Sequence, residues 1–315
     1  MKLRKLAALV LAGVMAMSMA ACSAASVEGE KPAAEGEAAE GEAAGSGSIG
    51  LSVSTLNNPF FVTLSEGAEA KAKELGVELI TVDAGDDSAK QASDIEDMIS
   101  KNISVLIVNP VDSDAVAPAV EDAIAKGIKV VAVDRVVNGV DVDCSIASDN
   151  VAGAKMAAEY LVQLAGEKAK TAELEGVNGA SATIDRGEGF HSVADEKLTV
   201  VASQTANFNR AEGMSVMENM LQANPDIQCV FAHNDEMALG AIEAIGDKGI
   251  IVAGFDATDD AIAAIKEGKM AATVAQQPDL MGATAVETAQ KLMNGESVEK
   301  NLPVEVTLIT KDNVQ

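Results

Sequence analysis

The sequence predicts an α/β protein built from two doubly wound parallel-sheet lobes. Short apolar runs typical of strands alternate with longer stretches whose apolar residues recur every three or four positions. Because strands that alternate with helices form parallel sheets covered on both faces, this order favours an open α/β sheet. The strand-like runs are 49–55, 77–84, 105–109, 129–134, 171–176, 198–204, 229–234, 250–256, 270–276 and 304–310.

The helical stretches carry clear apolar faces and end signals. Phe61, Leu64 and Ala68 begin one such face, and the run KELG at 73–76 places a glycine at the end of that stretch. The alternation breaks near 138–149, where the fourth strand is followed by a loop and the run SIAS. We interpret this break as the passage from one lobe into a second.

The first 21 residues have the pattern of an export signal. Lys2, Arg4 and Lys5 precede an apolar segment that is shorter than a membrane-spanning helix, and small residues follow. The segment ends in Met-Ala-Ala-Cys, which resembles the lipobox of bacterial lipoproteins, although that motif usually has Leu in place of Met19. The resemblance implies cleavage after residue 21, acylation of Cys22, and an extracytoplasmic protein lipid-anchored to the cell membrane or held in the periplasm. A simply secreted chain is the alternative.

Residues 22–48 and the overall charge restrict the partners. This stretch consists almost entirely of Ala, Gly, Ser and Glu, so it predicts an acidic flexible tether without a core. The formal net charge of the whole chain is −26. Because nucleic acid binding requires clustered Lys and Arg, the charge argues against a nucleic acid partner.

Two further cysteines, Cys144 and Cys229, lie in or beside β-branched runs. We expect buried, unpaired thiols at both positions. A disulfide between them remains open as an alternative, since the expected location outside the cytoplasm permits one.

The residues that follow the strands predict a binding cleft. Ligands of open parallel sheets bind beyond the carboxyl ends of the strands. Polar side chains occupy these ends, a second cation stands in a helical stretch, and four of the six phenylalanines are interleaved with them. The polar residues are Asn58, Asn109, Asp134, Arg135, Arg186, Asn234, Asp256 and Gln276, and the aromatic ones are Phe60, Phe61, Phe208 and Phe255.

This set of side chains suits a sugar. Sugar hydroxyls both donate and accept, so carboxylates, guanidinium groups and amides can pair with them, and the charged pairs are the stronger ones. Aromatic rings cover the apolar faces of a sugar and exclude water, which makes every unpaired polar group costly. The pattern therefore favours a cleft for a small polar ligand.

Several motifs resemble the type I periplasmic binding proteins of bacterial ABC sugar importers, in particular the D-ribose-binding members. They are STLNNPFF (54–61), VNPVDSDAV (108–116), SIASDN (145–150), RGEGF (186–190), HNDEMALGA (233–241), GFDAT (254–258) and TVAQQPD (273–279). The resemblance extends from about residue 49 to about residue 312. It implies that D-ribose binds between two lobes and that an ABC permease recognises the closed, loaded form. The ligand-binding residues carried over by motif are Ser54, Asn58, Phe60, Phe61, Asn109, Asp134, Arg135, Arg186, Phe208, Asn234, Phe255, Asp256 and Gln276.

The resemblance also implies the boundaries of the lobes. The first would comprise 49–148 plus 277–306, and the second 149–276 plus 307–315, with crossings near 148–149, 276–277 and 307–309. We expect a monomer without cofactor or metal. A chemoreceptor or sensor kinase is a further partner compatible with transport.

Three other functions are alternatives to ribose capture. A sugar-responsive repressor would share the two lobes but needs a basic helix-turn-helix before residue 49, where the acidic tether stands. A binding lipoprotein for another sugar, such as allose or a furanose signal molecule, remains an alternative. An enzyme is disfavoured because the common catalytic motifs are missing from the sequence. Asp134 and Asp256 could serve as an acid/base pair, but neighbouring guanidinium groups favour their ionised forms.

Overall fold

A computed structural model describes residues 47–314, which form two six-stranded sheets with helices on both faces. The export signal, Cys22 and almost all of the tether lie outside the described residues. The prediction of two α/β lobes is confirmed. Within 47–314, no helix combines the length and the apolar character needed to cross a bilayer.

The first lobe contains an entirely parallel sheet with the strand order β11-β5-β4-β3-β1-β2. Its strands are β1 (Ile49–Val53), β2 (Leu79–Asp83), β3 (Val105–Val108), β4 (Lys129–Val133), β5 (Cys144–Ser148) and β11 (Asn301–Val304). Its helices are α1 (Pro59–Leu75), α2 (Ser88–Ser100), α3 (Ala117–Ala125) and α9 (Pro278–Met293).

The second lobe has the strand order β12-β10-β9-β8-β6-β7, and only β12 runs antiparallel to its neighbour. Its strands are β6 (Lys170–Glu175), β7 (Thr199–Thr205), β8 (Cys229–Ala232), β9 (Ile251–Asp256), β10 (Ala272–Ala275) and β12 (Thr307–Thr310). Its helices are α4 (Asn150–Ala165), α5 (Ser181–Lys197), α6 (Arg210–Ala223), α7 (Asp235–Ile245) and α8 (Asp259–Glu267).

Each sheet is buried on both faces, as near-continuous apolar strands require. In β3, Val105 and Ile107 pack with α1 and α9, whereas Leu106 and Val108 pack with α2 and α3. Successive side chains of a strand point to opposite faces, so one four-residue strand contributes to two separate cores. The second sheet is covered in the same way, by α4 and α5 on one face and by α6, α7 and α8 on the other.

The chain passes between the sheets after β5, after β10 and between β11 and β12. The third passage was predicted at 307–309, but those residues lie inside β12, and the change of sheet occurs between Val304 and Thr307. The sequence also failed to predict β5 and β11 as separate strands. The Pro303 in β11 obscured that strand; it lies at the sheet edge, where a missing backbone donor is tolerated.

Both described cysteines are buried and unpaired, as expected. Cys144 lies in β5 of the first sheet, and Cys229 lies in β8 of the second. Cys229 Sγ is 3.2 Å from Thr171 Oγ1. Burial raises the pKa of both thiols. These cysteines therefore serve as small apolar core residues.

Candidate functional site

One cavity lies between the carboxyl ends of the two sheets and gathers most of the residues singled out in the sequence. It is lined by Asn58, Phe60, Phe61, Asp134, Arg135, Ala182, Arg186, Phe208, Asn234, Asp256 and Gln276. Ser54, Asn109 and Phe255, which the motifs also indicated, do not line it. Ala182 was not predicted, because an alanine carries no chemical signal; its only clue is that it precedes Arg186 by four residues on α5, which places both on one helix face.

The segment STLNNPFF brings a cap, a helix start and two rings to the cavity. Asn58 is the N-cap of α1, and its Oδ1 accepts a hydrogen bond from the Phe60 amide at 2.9 Å. Pro59 occupies the first helical position, where its missing N–H is not needed. The rings of Phe60 and Phe61 meet edge to face, with centroids 5.1 Å apart. Asn58 and both rings are buried, and the start of α1 therefore forms one wall of the site.

Asn109 supports the cavity from behind, at the end of β3. Its Nδ2 donates to Asp134 Oδ2 at 3.0 Å, and its Oδ1 accepts from the Ser54 amide at 3.0 Å. The fully buried Asn109 thereby ties the ends of β1 and β4 to its own strand. It orients Asp134, and the structure gives it the role of a positioning residue.

Asp134 and Arg135 follow β4 in a tight turn. Asp134 has φ of 66°, and the Arg135 amide donates to the carbonyl of Val133 at 2.8 Å. A non-glycine residue in this region is strained, and such strain concentrates at functional sites. Phe208 and Asp256, with φ of 57° and 125°, also have positive φ. Three cavity residues thus have positive φ angles, which are unfavourable for residues other than glycine.

The Arg135 guanidinium lies between two aromatic rings, one from each lobe. Its Cζ is 5.2 Å from the ring centroid of Phe61 and 5.3 Å from that of Phe208. Its Nη1 donates to the carbonyl of Pro110 at 2.7 Å. Its Nε is buried and has no hydrogen-bond partner among residues 47–314. Because buried donors are almost always paired, this N–H is available to an acceptor in the cavity.

Arg186 on α5 is the corresponding cation of the second lobe. Its Nε donates to Asn150 Oδ1 at 2.9 Å, and its Nη1 donates to the His233 carbonyl at 2.6 Å. The guanidinium carbon lies 3.8 Å from the ring centroid of Phe255. Phe255 is fully buried beneath the guanidinium. Phe255 therefore sets the position of Arg186 and does not itself face the cavity.

Asp256 and Gln276 complete the charged half of the second lobe. Gln276 Nε2 donates to Asp256 Oδ1 at 2.7 Å, and the same carboxylate oxygen is 3.8 Å from Arg186 Nη1. Gln276 follows β10 and lies at the passage toward α9. Its Oε1 is buried and accepts no hydrogen bond from the part of the chain that the structure describes.

Asn234 lines the cavity and bonds to the loop that carries Phe208. It is the N-cap of α7: its Oδ1 accepts from the Met237 amide at 3.0 Å. Its Nδ2 donates to the carbonyl of Phe208 at 3.2 Å, which fixes the loop that carries this ring. The preceding residue, His233, is fully buried and does not line the cavity.

His233 belongs to a buried polar network beneath the site that the sequence did not reveal. Its Nε2 is 3.0 Å from Oε1 of Glu173 on β6, and the Ser203 hydroxyl donates to Glu173 Oε2 at 2.7 Å. Burial lowers the pKa of His233. For Glu173, burial opposes ionisation, but the hydrogen bonds from His233 and Ser203 and the nearby imidazole of His191 together lower the pKa. Since the His233 carbonyl accepts from Arg186, this network supports the second cation.

Two carboxylates and two guanidinium groups line the cavity. Burial is the main influence on all four charged groups: it raises the pKa of Asp134 and Asp256 and lowers that of Arg135 and Arg186. The charges on the opposite groups counter these shifts. Fixed acceptors and donors in a water-poor site, flanked by rings, can pair with the hydroxyls of a polyol and cover its apolar face. Among residues 47–314, no group of three or more His, Cys, Asp or Glu side chains is arranged to hold a metal ion.

Comparison with known proteins agrees with this architecture. A family model described as a periplasmic binding protein domain matches residues 49–297. The ribose import binding protein of Bacillus subtilis (strain 168) is 52% identical over 266 residues, which cover 84% of this chain and 87% of the relative. Its counterpart from Haemophilus influenzae is 47% identical over 267 residues, covering 84% and 91%.

Solved structures agree with the sequence relatives. An ABC transporter solute binding protein from Bacillus halodurans with bound myo-inositol superimposes with a TM-score of 0.82 at 36% identity, covering 87% of this chain and 97% of that one. The family resemblance inferred from the sequence motifs is confirmed. The chain belongs to the periplasmic binding protein family.

Proposed function

We propose that this protein captures D-ribose outside the cytoplasm, between its two lobes, and delivers it to the permease of an ABC importer. The observation that carries the proposal is the ring of groups around one cavity: two guanidinium groups, two carboxylates and three amides, flanked by three phenylalanine rings. The relatives at 52% and 47% identity are named as ribose import binding proteins, which supports this ligand.

Each group has a function in the proposed complex. Asp134 and Asp256 accept hydrogen bonds from sugar hydroxyls, and Arg135 and Arg186 donate to the sugar oxygens. The rings of Phe60, Phe61 and Phe208, which line the cavity, supply apolar surface to the faces of the sugar. Any epimer that leaves one of these buried groups unpaired binds more weakly. The free energy lost when a buried charged group has no hydrogen-bond partner exceeds the free energy gained when it has one.

Closure of the lobes is the proposed mechanism of capture. We assign 49–148 plus 277–306 to the first lobe and 149–276 plus 307–315 to the second, with the three chain passages acting as the hinge. The sugar stabilises the closed state only by the difference between its affinities for the closed and open states. Because the cavity draws residues from both lobes, a ligand gains its full set of contacts only on closure.

The proposed location follows from the N-terminal sequence. Removal of residues 1–21 and acylation of Cys22 would anchor the chain to the outer face of the cell membrane or keep it in the periplasm, with residues 22–48 as a tether. We further propose that the protein acts as a monomer. A chemoreceptor or sensor kinase that recognises the closed form is compatible with the same mechanism.

We also propose binding without turnover. Asp134 and Asp256 have the carboxyl chemistry of a glycosidase pair. Each, however, lies beside a guanidinium group and accepts a hydrogen bond from a side-chain amide, Asp134 from Asn109 and Asp256 from Gln276. Burial raises the pKa of both carboxyl groups, and the guanidinium and amide partners oppose that rise. Because these partners hold the carboxyl oxygens as hydrogen-bond acceptors, we assign the pair to binding hydroxyls and not to proton donation. Turnover of a ribose-containing substrate that is lost in Asp256→Asn would contradict this proposal.

The alternative ligand is another small polyol. The neighbouring structure from Bacillus halodurans contains myo-inositol in the same fold. A cavity lined by charged and aromatic side chains accommodates either class, so selectivity depends on the fit of individual hydroxyls.

A thermal-shift screen of the purified protein against D-ribose, D-allose, D-xylose, L-arabinose, D-galactose, D-glucose and myo-inositol tests the proposal. An external dye is required because the sequence contains no Trp. Ligand at about 100 times its dissociation constant adds about 2.7 kcal/mol to stability. This corresponds to a rise in Tm of roughly 5–10 °C. A shift with D-ribose supports the proposal; a shift with another sugar alone replaces ribose but keeps the mechanism.

A further inference from the structure

The two lobes also contact each other away from the cavity, at the start of α5. Three hydrogen bonds cross between them: the Ser113 amide donates to the carbonyl of Gly179 at 3.0 Å, the Ser181 amide donates to Ser113 Oγ at 3.2 Å, and the Val136 amide donates to Ser181 Oγ at 3.1 Å. Ser113 and Val136 belong to the first lobe, and Gly179 and Ser181 to the second. We call these four residues the serine latch. None of them lines the cavity.

Helix α5 lacks an N-terminal cap of its own. Its N-cap residue is Ala180, which makes no side-chain capping bond. The first N–H groups of a helix have no partner within that helix and are normally paired by a Ser, Thr, Asp or Asn at the N-cap. The other four helices of the second lobe are capped in this way, by Asp149, Asn209, Asn234 and Thr258.

Ser113 supplies the missing cap from the opposite lobe. It is held in place for this contact: its carbonyl accepts from the Asn138 amide at 2.8 Å. Asp112 Oδ1 accepts from the amides of Asp114 and Ala115 at 2.9 Å and 2.8 Å, which fixes the turn around Ser113. Ser113 is fully buried. A serine hydroxyl on a rigid loop is thus positioned against an uncapped helix start.

Gly179 allows the backbones to approach closely. It has φ of +87°, and a β-carbon at this position would collide with the carboxylate of Asp112 in the first lobe. Glycine is the residue that tolerates both this backbone conformation and this proximity. The backbone of the second lobe at Gly179 can therefore pack directly against the loop of the first lobe that carries Asp112 and Ser113.

We propose that Ser113 of the first lobe caps α5 of the second lobe when the lobes close, and that the serine latch stabilises the closed state independently of the sugar. This inference rests on the proposed function, since it concerns the closure that captures the ligand. Helix α5 carries Ala182 and Arg186, which line the cavity. The same closure that assembles the cavity thus provides the cap for the helix that presents one of its cations.

The latch has a distinctive consequence for affinity. For a ligand that requires the closed state, the apparent dissociation constant equals the intrinsic dissociation constant divided by the fraction of protein that is closed. Loss of one neutral hydrogen bond across the lobes should raise the dissociation constant by between about 2-fold and about 10-fold. Because no latch residue lines the cavity, the factor should be the same for strongly and weakly bound sugars. A contact residue would instead change the ratio between sugars.

The test compares the full chain with its Ser113→Ala and Ser181→Ala variants. Spin labels at one exposed position of each lobe, Lys126→Cys and Asp247→Cys, report the distance between the lobes without sugar, and calorimetry gives the dissociation constants. Ser192→Ala is the matched control, since within the described residues the Ser192 hydroxyl bonds only inside α5, to the carbonyl of Gly189. We expect both latch variants to shift the distances toward the open state and to weaken all bound sugars by a common factor, through faster dissociation.

Two results would overturn the proposal. One is a closed fraction and a dissociation constant that both match those of the Ser192→Ala control. The other is a loss that differs between sugars, which would place Ser113 or Ser181 among the ligand contacts. A protein that binds none of the tested sugars would contradict the proposed function. The distance measurement uses no sugar, so it would still show whether the serine latch stabilises the closed state. Circular dichroism verifies that each variant is folded.

Discussion

Arg135 Nε lies 3.6 Å from Asp134 Oδ2, and both side chains are almost completely buried at the cavity. Adjacent residues of opposite charge thus point into the same site from one tight turn. A buried ion pair is costly to form, and removal of one partner leaves the other uncompensated. This pair is therefore better explained by ligand binding than by stability.

Arg135→Ala should abolish detectable D-ribose binding, with a loss on the order of 100-fold or more, because it removes charged donors and the cation between two rings. The protein should remain folded, since burial already raises the pKa of Asp134 and allows the orphaned carboxylate to take up a proton. Titration calorimetry measures the affinity, and circular dichroism verifies the fold.

Arg210→Ala is the matched control for this variant. Arg210 makes ion pairs with Glu236 and Asp260 and does not line the cavity. Its removal should leave the affinity for D-ribose within about 2-fold of wild type. Equal losses in the two variants would mean that overall charge, and not the placement of Arg135, determines binding.

That Asn58 and Asp134 lie close together could be predicted, because both follow strands of one parallel sheet whose carboxyl ends meet at the same edge. Asp256 ends a strand of the second sheet, and only the family resemblance predicted that it faces them. The partners of these residues could not be predicted. The pairing of Glu173 with His233 joins strands distant in sequence, and Ala182 offers no chemical signal. The capping of α5 by Ser113 depends on how one lobe meets the other, which no local pattern specifies.

Asp235 should give the protein a characteristic pH dependence of stability. Its carboxyl is fully buried on α7, and burial raises its pKa to about 7 from the ordinary value of 3.8. Between these two pH values, the folded chain keeps a proton that the unfolded chain has released. The contribution of Asp235 to stability therefore falls as pH rises from about 4 to about 7.

Asp235→Asn removes this titration but can still accept from the Thr258 amide and contact the Thr273 hydroxyl, the present partners of the carboxylate. The melting temperature of the variant should rise relative to wild type as pH increases from 4 to 8. Parallel melting curves across this range would mean that Asp235 is ionised in the folded protein throughout. Asp259→Asn, at an exposed position that begins α8, is the control and should follow wild type.

Cys22→Ala tests the proposed lipid anchor. Without the thiol there is no site for acylation, so the protein should move from the membrane fraction to the medium or periplasm. Fractionation followed by immunodetection measures this. Ser26→Ala, four residues further along the same segment, should leave the protein in the membrane fraction. Membrane retention of Cys22→Ala would rule out anchoring through this residue.

Two helical glycines should respond in opposite directions to alanine. Gly282 on α9 packs against α1, where an added β-carbon would overlap the carbonyl of Leu64 and lie 2.9 Å from the Ala68 amide nitrogen. Neither backbone atom can move without displacing the helix, and overpacking of this kind costs about 1–3 kcal/mol. Because this cost opposes and outweighs the gain of about 1 kcal/mol in helix propensity, Gly282→Ala should lower the stability of the protein.

Gly187 on α5 is the matched position, because the nearest atom to an added β-carbon is His233 Cε1 at 3.8 Å, an ordinary contact distance. Gly187→Ala should therefore keep its gain in helix propensity and raise stability by up to about 1 kcal/mol. Urea unfolding of both variants measures the two changes. A stabilised Gly282→Ala variant would show that α1 and α9 can separate without cost, and the close packing of these helices would then contribute nothing to the first lobe.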